Sequence, residues 1–185
     1  SCVYAASASS VAARGASVLA VQPQATLEPR VTEWDDRFTK MRRTEFTSRY
    51  GYAPDMLDAS EQAYILYDPS EKLDATHAAL FTRPNVKKLR VPHLGDGLEK
   101  VLMNMRVLLP LIEAAADDNL TTRKFASMMR ARRAYRPYLF GLVQKCETRN
   151  RPDLAKLICE HVISQGRAPR FEARLAKLEA EATKD

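Results

Sequence analysis

Residues 135–170, YRPYLFGLVQKCETRNRPDLAKLICEHVISQGRAPR, carry the pattern that most narrows the fold. Pro137 suits a first helical turn, where its fixed φ and missing N–H are harmless. Leu139, Leu142, Val143 and Cys146 then fall at i, i+3, i+4 and i+7, one apolar stripe. Asn150 tolerates left-handed backbone, so Arg149-Asn150-Arg151 reads as the turn. Pro152 and Asp153 open a second helix whose buried side is expected to hold Leu154, Ala155, Leu157, Ile158, Val162 and Ile163. Gly166 closes it and Pro169 forbids continuation. Two short antiparallel helices follow. Cys146 and Cys159 should act as small hydrophobes on the facing sides. His161 lies two residues from Cys159, so the two side chains point apart and no zinc site is expected.

The same helix-turn-helix beat is legible elsewhere. Thr32-Glu33-Trp34-Asp35 predicts a helix start, capped by Thr32 and ended by Gly51, with Trp34, Phe38, Met41, Phe46 and Tyr50 on an aromatic-rich face. Asp58-Ala59-Ser60-Glu61 opens a short helix through Tyr67, with Tyr64 and Tyr67 at i, i+3. Asp68-Pro69-Ser70-Glu71 starts another, carrying Leu73, His77, Leu80 and Phe81. His77 on that apolar face reads as a satisfied core histidine. These segments would form a first, degenerate helix pair, and residues 85–97 a basic connector. From Leu98 the apolar side runs through Val101, Leu102, Met105, Leu108, Leu109, Leu111 and Ile112. Pro110 predicts a break near Met105 to Val107. Asp117-Asp118-Asn119 is a turn, and Thr121 caps a helix through Arg133 with Phe125, Met128 and Met129 inward. Phe171, Leu175, Leu178 and Ala182 mark a last amphipathic helix.

The expected fold class is therefore all-α, a stack of about seven helices. Residues 1–30 would be an extended N-terminal segment, transit-like or used for docking, and residues 31–185 a helical-repeat-like domain. The first 27 residues are rich in Ala and Ser, with Arg14 as sole charge, and resemble a mitochondrial leader or its remnant. Three cysteines in 185 residues are too few for a disulfide framework. No apolar run approaches the roughly 18 residues a membrane helix needs. Nucleophile-base pairs, metal-protease motifs and phosphate-cradling loops are not apparent, so no catalytic residue, cofactor or metal ligand is assigned.

Residues 135–170 resemble one pentatricopeptide repeat, the α-hairpin unit of a family of helical solenoids. The matching features are Leu142-Val143, the turn at Asn150, Asp153-Leu154-Ala155, and the spacing of Ile158, Val162, Gly166 and Pro169. Members of that family that read RNA use polar side chains on the first helix and at the motif's end. Here those positions hold Gly141 and Arg170, so the resemblance implies a retained fold without base reading. LRVPHLGDGLEK and RARRAYRPYLFGLV, with the overall layout, resemble the extra subunits carried on the F1 head of euglenozoan mitochondrial ATP synthase. Those are pentatricopeptide-like helical proteins on the outside of subunit α. The resemblance implies a non-catalytic subunit of the F1 sector, in the mitochondrial matrix or on the matrix face of the inner membrane, with subunit α as partner.

Charge is the remaining signal. The chain carries a net +6 and a pI near 9.3, which alone selects neither nucleic acid nor an acidic protein. Between Asp118 and Glu147 there is no acid. Arg130, Arg132, Arg133 and Arg136 in that span are the candidate protein-interaction residues. The alternatives are an RNA-binding pentatricopeptide-type protein, or a structural subunit of the mitochondrial ribosome or another respiratory complex.

Overall fold

Ala63, Tyr64, Ile65 and Leu66 are consecutive and all buried. A helix cannot bury four residues in a row on one face, but a strand covered on both faces can. In the computed structural model, which describes residues 15–40 and 51–182, they form the middle of a three-stranded parallel sheet. Its strands are β1 (Ser17–Val21), β2 (Gln62–Tyr67) and β3 (Val86–Arg90), in spatial order β1-β2-β3. Leu19 pairs with Tyr64 on one side of β2, and Ile65 with Lys88 on the other. The all-α expectation is thus wrong: the fold is mixed α/β. Tyr64 and Tyr67 are three apart in a strand, not on a helix face; the supposed first helix pair is a strand and a helix, and the expected basic connector at residues 85–97 contains β3. Part of the expected leader, Ser17–Val21, supplies β1.

The described residues also hold nine α-helices. Three lie in the crossovers, α1 (Pro29–Thr32), α2 (Ala53–Met56) and α3 (Lys72–Ala79), and α4 (Leu98–Asn104) follows the last strand. Then come α5 (Leu108–Ala116), α6 (Thr122–Met128), α7 (Arg136–Thr148), α8 (Pro152–Ser164) and α9 (Pro169–Ala182). Parallel neighbours need a long crossover, and α3 supplies it between β2 and β3. Alternation sends Ala63 and Ile65 into a core with Val18, Ala20, Met56, Leu57, Ala78 and Phe81. Tyr64 points the other way, where Asp118 beyond α5 meets its hydroxyl. Helix α5 also packs against β1.

Local signals between Leu98 and Met128 agree with the structure. The chain breaks between α4 and α5, with Arg106 at φ 57°. Pro110 sits in the first turn of α5, where a missing N–H is tolerated. Thr121 caps α6 by accepting the Lys124 N–H at 3.2 Å. Thr32, by contrast, ends a short helix instead of opening a long one: its hydroxyl donates to the Glu28 carbonyl. The aromatic face expected at Met41, Phe46 and Tyr50 lies outside the described residues.

The chain divides into two compact units, Ser1–Met129 and Arg130–Asp185. The second is built on α7, α8 and α9. Asn150 takes φ 53° at the hairpin turn, and the Arg151 N–H reaches back to the Cys146 carbonyl at 2.8 Å. Together with the Asn150 N–H on Glu147, this is the left-handed helix end that asparagine can supply. Leu139, Val143, Ala155, Cys159, Val162, Phe171 and Leu178 form its core. Burial raises the pKa of the Cys159 thiol, as expected for a packing cysteine. Arg174 and Glu147 pair across α9 and α7. Leu154 and Leu157, expected inside, are 37% and 60% exposed, and Ala182 is exposed too.

Two substitutions test this distribution. Ile65→Ala removes a fully buried side chain from the central strand and should lower unfolding free energy by about 3 kcal/mol. Leu157→Ser should change it by less than about 0.5 kcal/mol, as for an ordinary surface site. Urea titrations of the purified protein read both; a large loss at Leu157 would restore the wider buried face.

Candidate functional site

In open parallel α/β sheets, ligands bind beyond the carboxyl ends of the strands, where loop N–H groups and helix starts are available to anions. Here that edge is occupied by the protein's own side chains. Asp68 follows β2 and is fully buried. Its Oδ1 accepts the N–H groups of Ser70 at 2.7 Å and His93 at 3.0 Å, and its Oδ2 that of Gly95 at 2.7 Å. Burial pushes its pKa up, but these backbone donors outweigh that and hold it below the usual carboxylate value. One carboxylate thus ties the loop after β2 to the loop after β3. Above it, the Ser70 hydroxyl lies 2.8 Å from His93 Nδ1.

A second polar cluster closes the other half of the edge. Gln22, just past β1, donates from Nε2 to Asp74 Oδ2 at 2.7 Å. Its Oε1 accepts the Leu98 N–H at 2.7 Å, so a side chain from β1 caps the start of α4. Asp74 also accepts from Arg37 at 2.7 Å. Arg37 then grips Asp35 in a forked pair, Nε to Oδ1 at 3.0 Å and the terminal nitrogen to Oδ2 at 2.8 Å. Asp35 is bound in turn by His77, Nε2 to Oδ2 at 2.8 Å.

The tautomer of His77 follows from its partners. Nδ1 accepts the Ala25 N–H at 3.2 Å, so the ring proton is on Nε2 and donates to Asp35. His77 is fully buried, and burial lowers its pKa despite the nearby carboxylate. For Asp35 burial acts to raise the pKa, but the bonds from Arg37 and His77 win and bring it to about 2. The bond to Asp35 likewise raises the pKa of Arg37. Trp34 lies over the histidine with ring centroids 4.6 Å apart. Sequence reasoning took His77 correctly as a satisfied core residue. It gave Asp35 a helix-start role, and Gln22, Arg37, Asp68 and Asp74 carried no pattern that would have linked them.

Two faces outside this edge offer groups that the fold does not consume. On α4 and α5, Met103, Leu109 and Ile112 are 59%, 70% and 45% exposed. Beside them a hollow of about 420 Å³ is lined by Met103, Arg106, Leu108, Leu109 and Pro110. Only Leu111, Ala114 and Ala115 of α5 are buried, so the long apolar run exceeds what this helix puts into its core.

The other face is basic. Arg130, Arg132 and Arg133 lie on a 3-10 turn, Met129–Ala134, and Arg136 begins α7. Arg130, Arg133 and Arg136 are exposed, whereas Arg132 is half-buried with its guanidinium 5.7 Å from the Tyr138 ring. Arg136 donates to the Arg167 carbonyl at 3.0 Å. Structure therefore gives two of the four a partner within the unit. Arg170 stacks on Phe140 at 3.7 Å from the ring centre.

These features define a small α/β unit with a self-closed carboxyl edge, followed by a three-helix unit. No protein family, curated protein or solved structure matches the chain. Among the described residues no helix is long and apolar enough to cross a membrane, and no three metal-ligating side chains converge.

The His77–Asp35 pair contributes a pH dependence to stability. Because the folded imidazole has a pKa below 6.5, the unfolded chain takes up a proton that the fold refuses as pH drops past 6.5. Stability from this group is complete above 6.5 and declines below it. Asp35 acts lower: its contribution is complete above 3.8 and is lost as pH falls toward about 2. Urea midpoints should therefore fall between about pH 7.5 and about pH 5, and His77→Gln should flatten that limb. An unchanged slope in the variant would show that His77 is not the group responsible.

Proposed function

We propose that the protein is a non-catalytic structural subunit that docks on a larger protein assembly. The observation that carries this reading is the apolar face of α4 and α5. Met103, Leu109 and Ile112 stay in water although Leu111 between them is fully buried. A contiguous exposed apolar patch beside a hollow marks a surface built to be covered by another protein. The self-closed sheet edge supports the non-catalytic part, because the loop donors that would hold an anionic substrate already hold Asp68 and Gln22.

The assembly we propose is the F1 sector of mitochondrial ATP synthase, with subunit α as the surface docked upon. This rests on the resemblance of residues 89–100 and 130–143 and on the helical hairpin of α7 and α8. The resemblance is confined to those stretches, since a pentatricopeptide stack has no place for β1, β2 and β3. An RNA-binding role is less well supported. Gly141 has no side chain to select a base, and Arg170 stands where the family's terminal polar reader would be.

Native gels followed by mass spectrometry identify the parent particle. The protein should migrate with ATP synthase and co-purify with chloroform-released ATPase at a fixed ratio to subunit α. Leu109→Asp with Ile112→Asp should weaken retention more than about tenfold, given roughly 2 kcal/mol for burying one such side chain. Its melting temperature should stay near that of the wild type. Co-sedimentation with ribosomes, or with another respiratory complex, would replace the ATP synthase assignment; migration as a lone chain would end the docking reading.

A further inference from the structure

The helical unit holds a second recess with a different chemistry. A cleft of about 160 Å³ opens beside the starts of α7 and α9, lined by Arg136, Pro137, Phe140, Pro169, Arg170 and Phe171. Its floor is aromatic: Phe140 meets Phe171 edge-on at 5.5 Å, and Phe171 is almost fully buried. Its rim is cationic. The Arg170 guanidinium carbon lies 3.7 Å from the centre of the Phe140 ring, a contact that uses none of its N–H groups. Arg136 gives one bond to the Arg167 carbonyl, and a guanidinium has several donors. The acid next to the cleft in sequence, Glu172, has an oxygen on the Ala168 N–H at 3.0 Å. The 28 residues from Asn119 to Cys146, which include the α7 side of the cleft, contain no acid.

Gly141 adds an independent observation. It lies in the interior of α7, one turn beyond Pro137 and so on the same helix face. A β-carbon built there would meet nothing within 4 Å. Its backbone is ordinary helix, so neither packing nor conformation within the unit calls for glycine. Glycine at such a position is destabilising relative to alanine. Close approach of another backbone is a use that glycine alone permits.

We propose that this cleft is a docking groove for an extended acidic segment of a partner protein. An aliphatic side chain of the segment would enter the aromatic floor, its flanking carboxylates would pair with Arg136 and Arg170, and its backbone would pass Gly141. The inference rests on the docking reading above and names the chemistry of the partner. Arginine's planar fork suits carboxylates, and aromatic floors with arginine rims are the composition of protein interfaces.

The test uses the full-length protein and two fluorescent pools of degenerate decapeptides. One pool has Asp or Glu alternating with aliphatic residues; the other has Asn or Gln in their place. The acidic pool should bind at least about tenfold more tightly, the size expected for charge-assisted hydrogen bonds. Arg136→Gln and Arg170→Gln should each reduce that binding by about tenfold while leaving the melting temperature in place. Gly141→Ala should raise the melting temperature by roughly 2 °C yet weaken binding, a split that a purely structural glycine would not produce. Equal binding of both pools, no effect of the arginine changes, or displacement of the acidic pool by a uridine-rich RNA of similar length would overturn the proposal. If the protein sits in its native particle while the acidic pool fails to bind, the cleft is wrong and the docking reading stands. If the acidic pool binds but the protein runs as a lone chain, the groove survives and the docking reading does not.

Discussion

The arrangement rests on buried carboxylates that hold loops together at one end of a small parallel sheet. Parallel strands have no hairpin to join them, and long connections must be closed at an entropic cost before any ladder forms. Three strands of five or six residues supply few ladder bonds against that cost. Asp68 binds the loops after β2 and β3, and the chain Gln22–Asp74–Arg37–Asp35–His77 joins β1, the segment after α1, α3 and α4. Among the described residues every buried side-chain polar atom has a partner. That completeness matters, since a half-satisfied network would destabilise the fold by more than an apolar replacement.

Closure of the edge also bears on where in the fold function can lie. The groups that make a nucleotide site in larger parallel folds are backbone donors at loop ends and helix starts. Here the N–H groups of Ser70, His93 and Gly95 are committed to Asp68 and that of Leu98 to Gln22, so this part of the edge works as a brace. What the chain leaves unspent lies elsewhere, in apolar side chains on α4 and α5 and guanidiniums around α7 and α9.

How much of this was legible in the sequence depended on the range of each signal. The turn at Asn150, the cap at Thr121 and the break before Leu108 were readable because their causes lie within one helical turn. The strands were not. β1 hides in an Ala- and Ser-rich run, β3 reads as a basic loop because Lys87 and Lys88 face outward, and β2 is too short for its continuous apolar run to rule out a helix. Asp35 and Asp68 each had an adequate local explanation as helix-start residues. Their actual partners stand 42 and 25 residues away at His77 and His93, a relation no spacing rule contains.

The sequence also overstated the width of the buried helix faces, and the reason carries functional meaning. Periodicity says which residues share a face, but not how much of that face a neighbour covers. On α8 the core takes Ala155, Cys159 and Val162 and leaves Leu154 and Leu157 outside. On α5 it takes Leu111 and leaves Leu109 and Ile112. Exposed leucines singly are ordinary, but here they recur at helical spacing beside residues already fully packed. On the docking reading proposed above, a face wider than its own core needs is a second surface for a partner to meet. Gly141 repeats the point on α7, where something smaller than the fold requires has been kept.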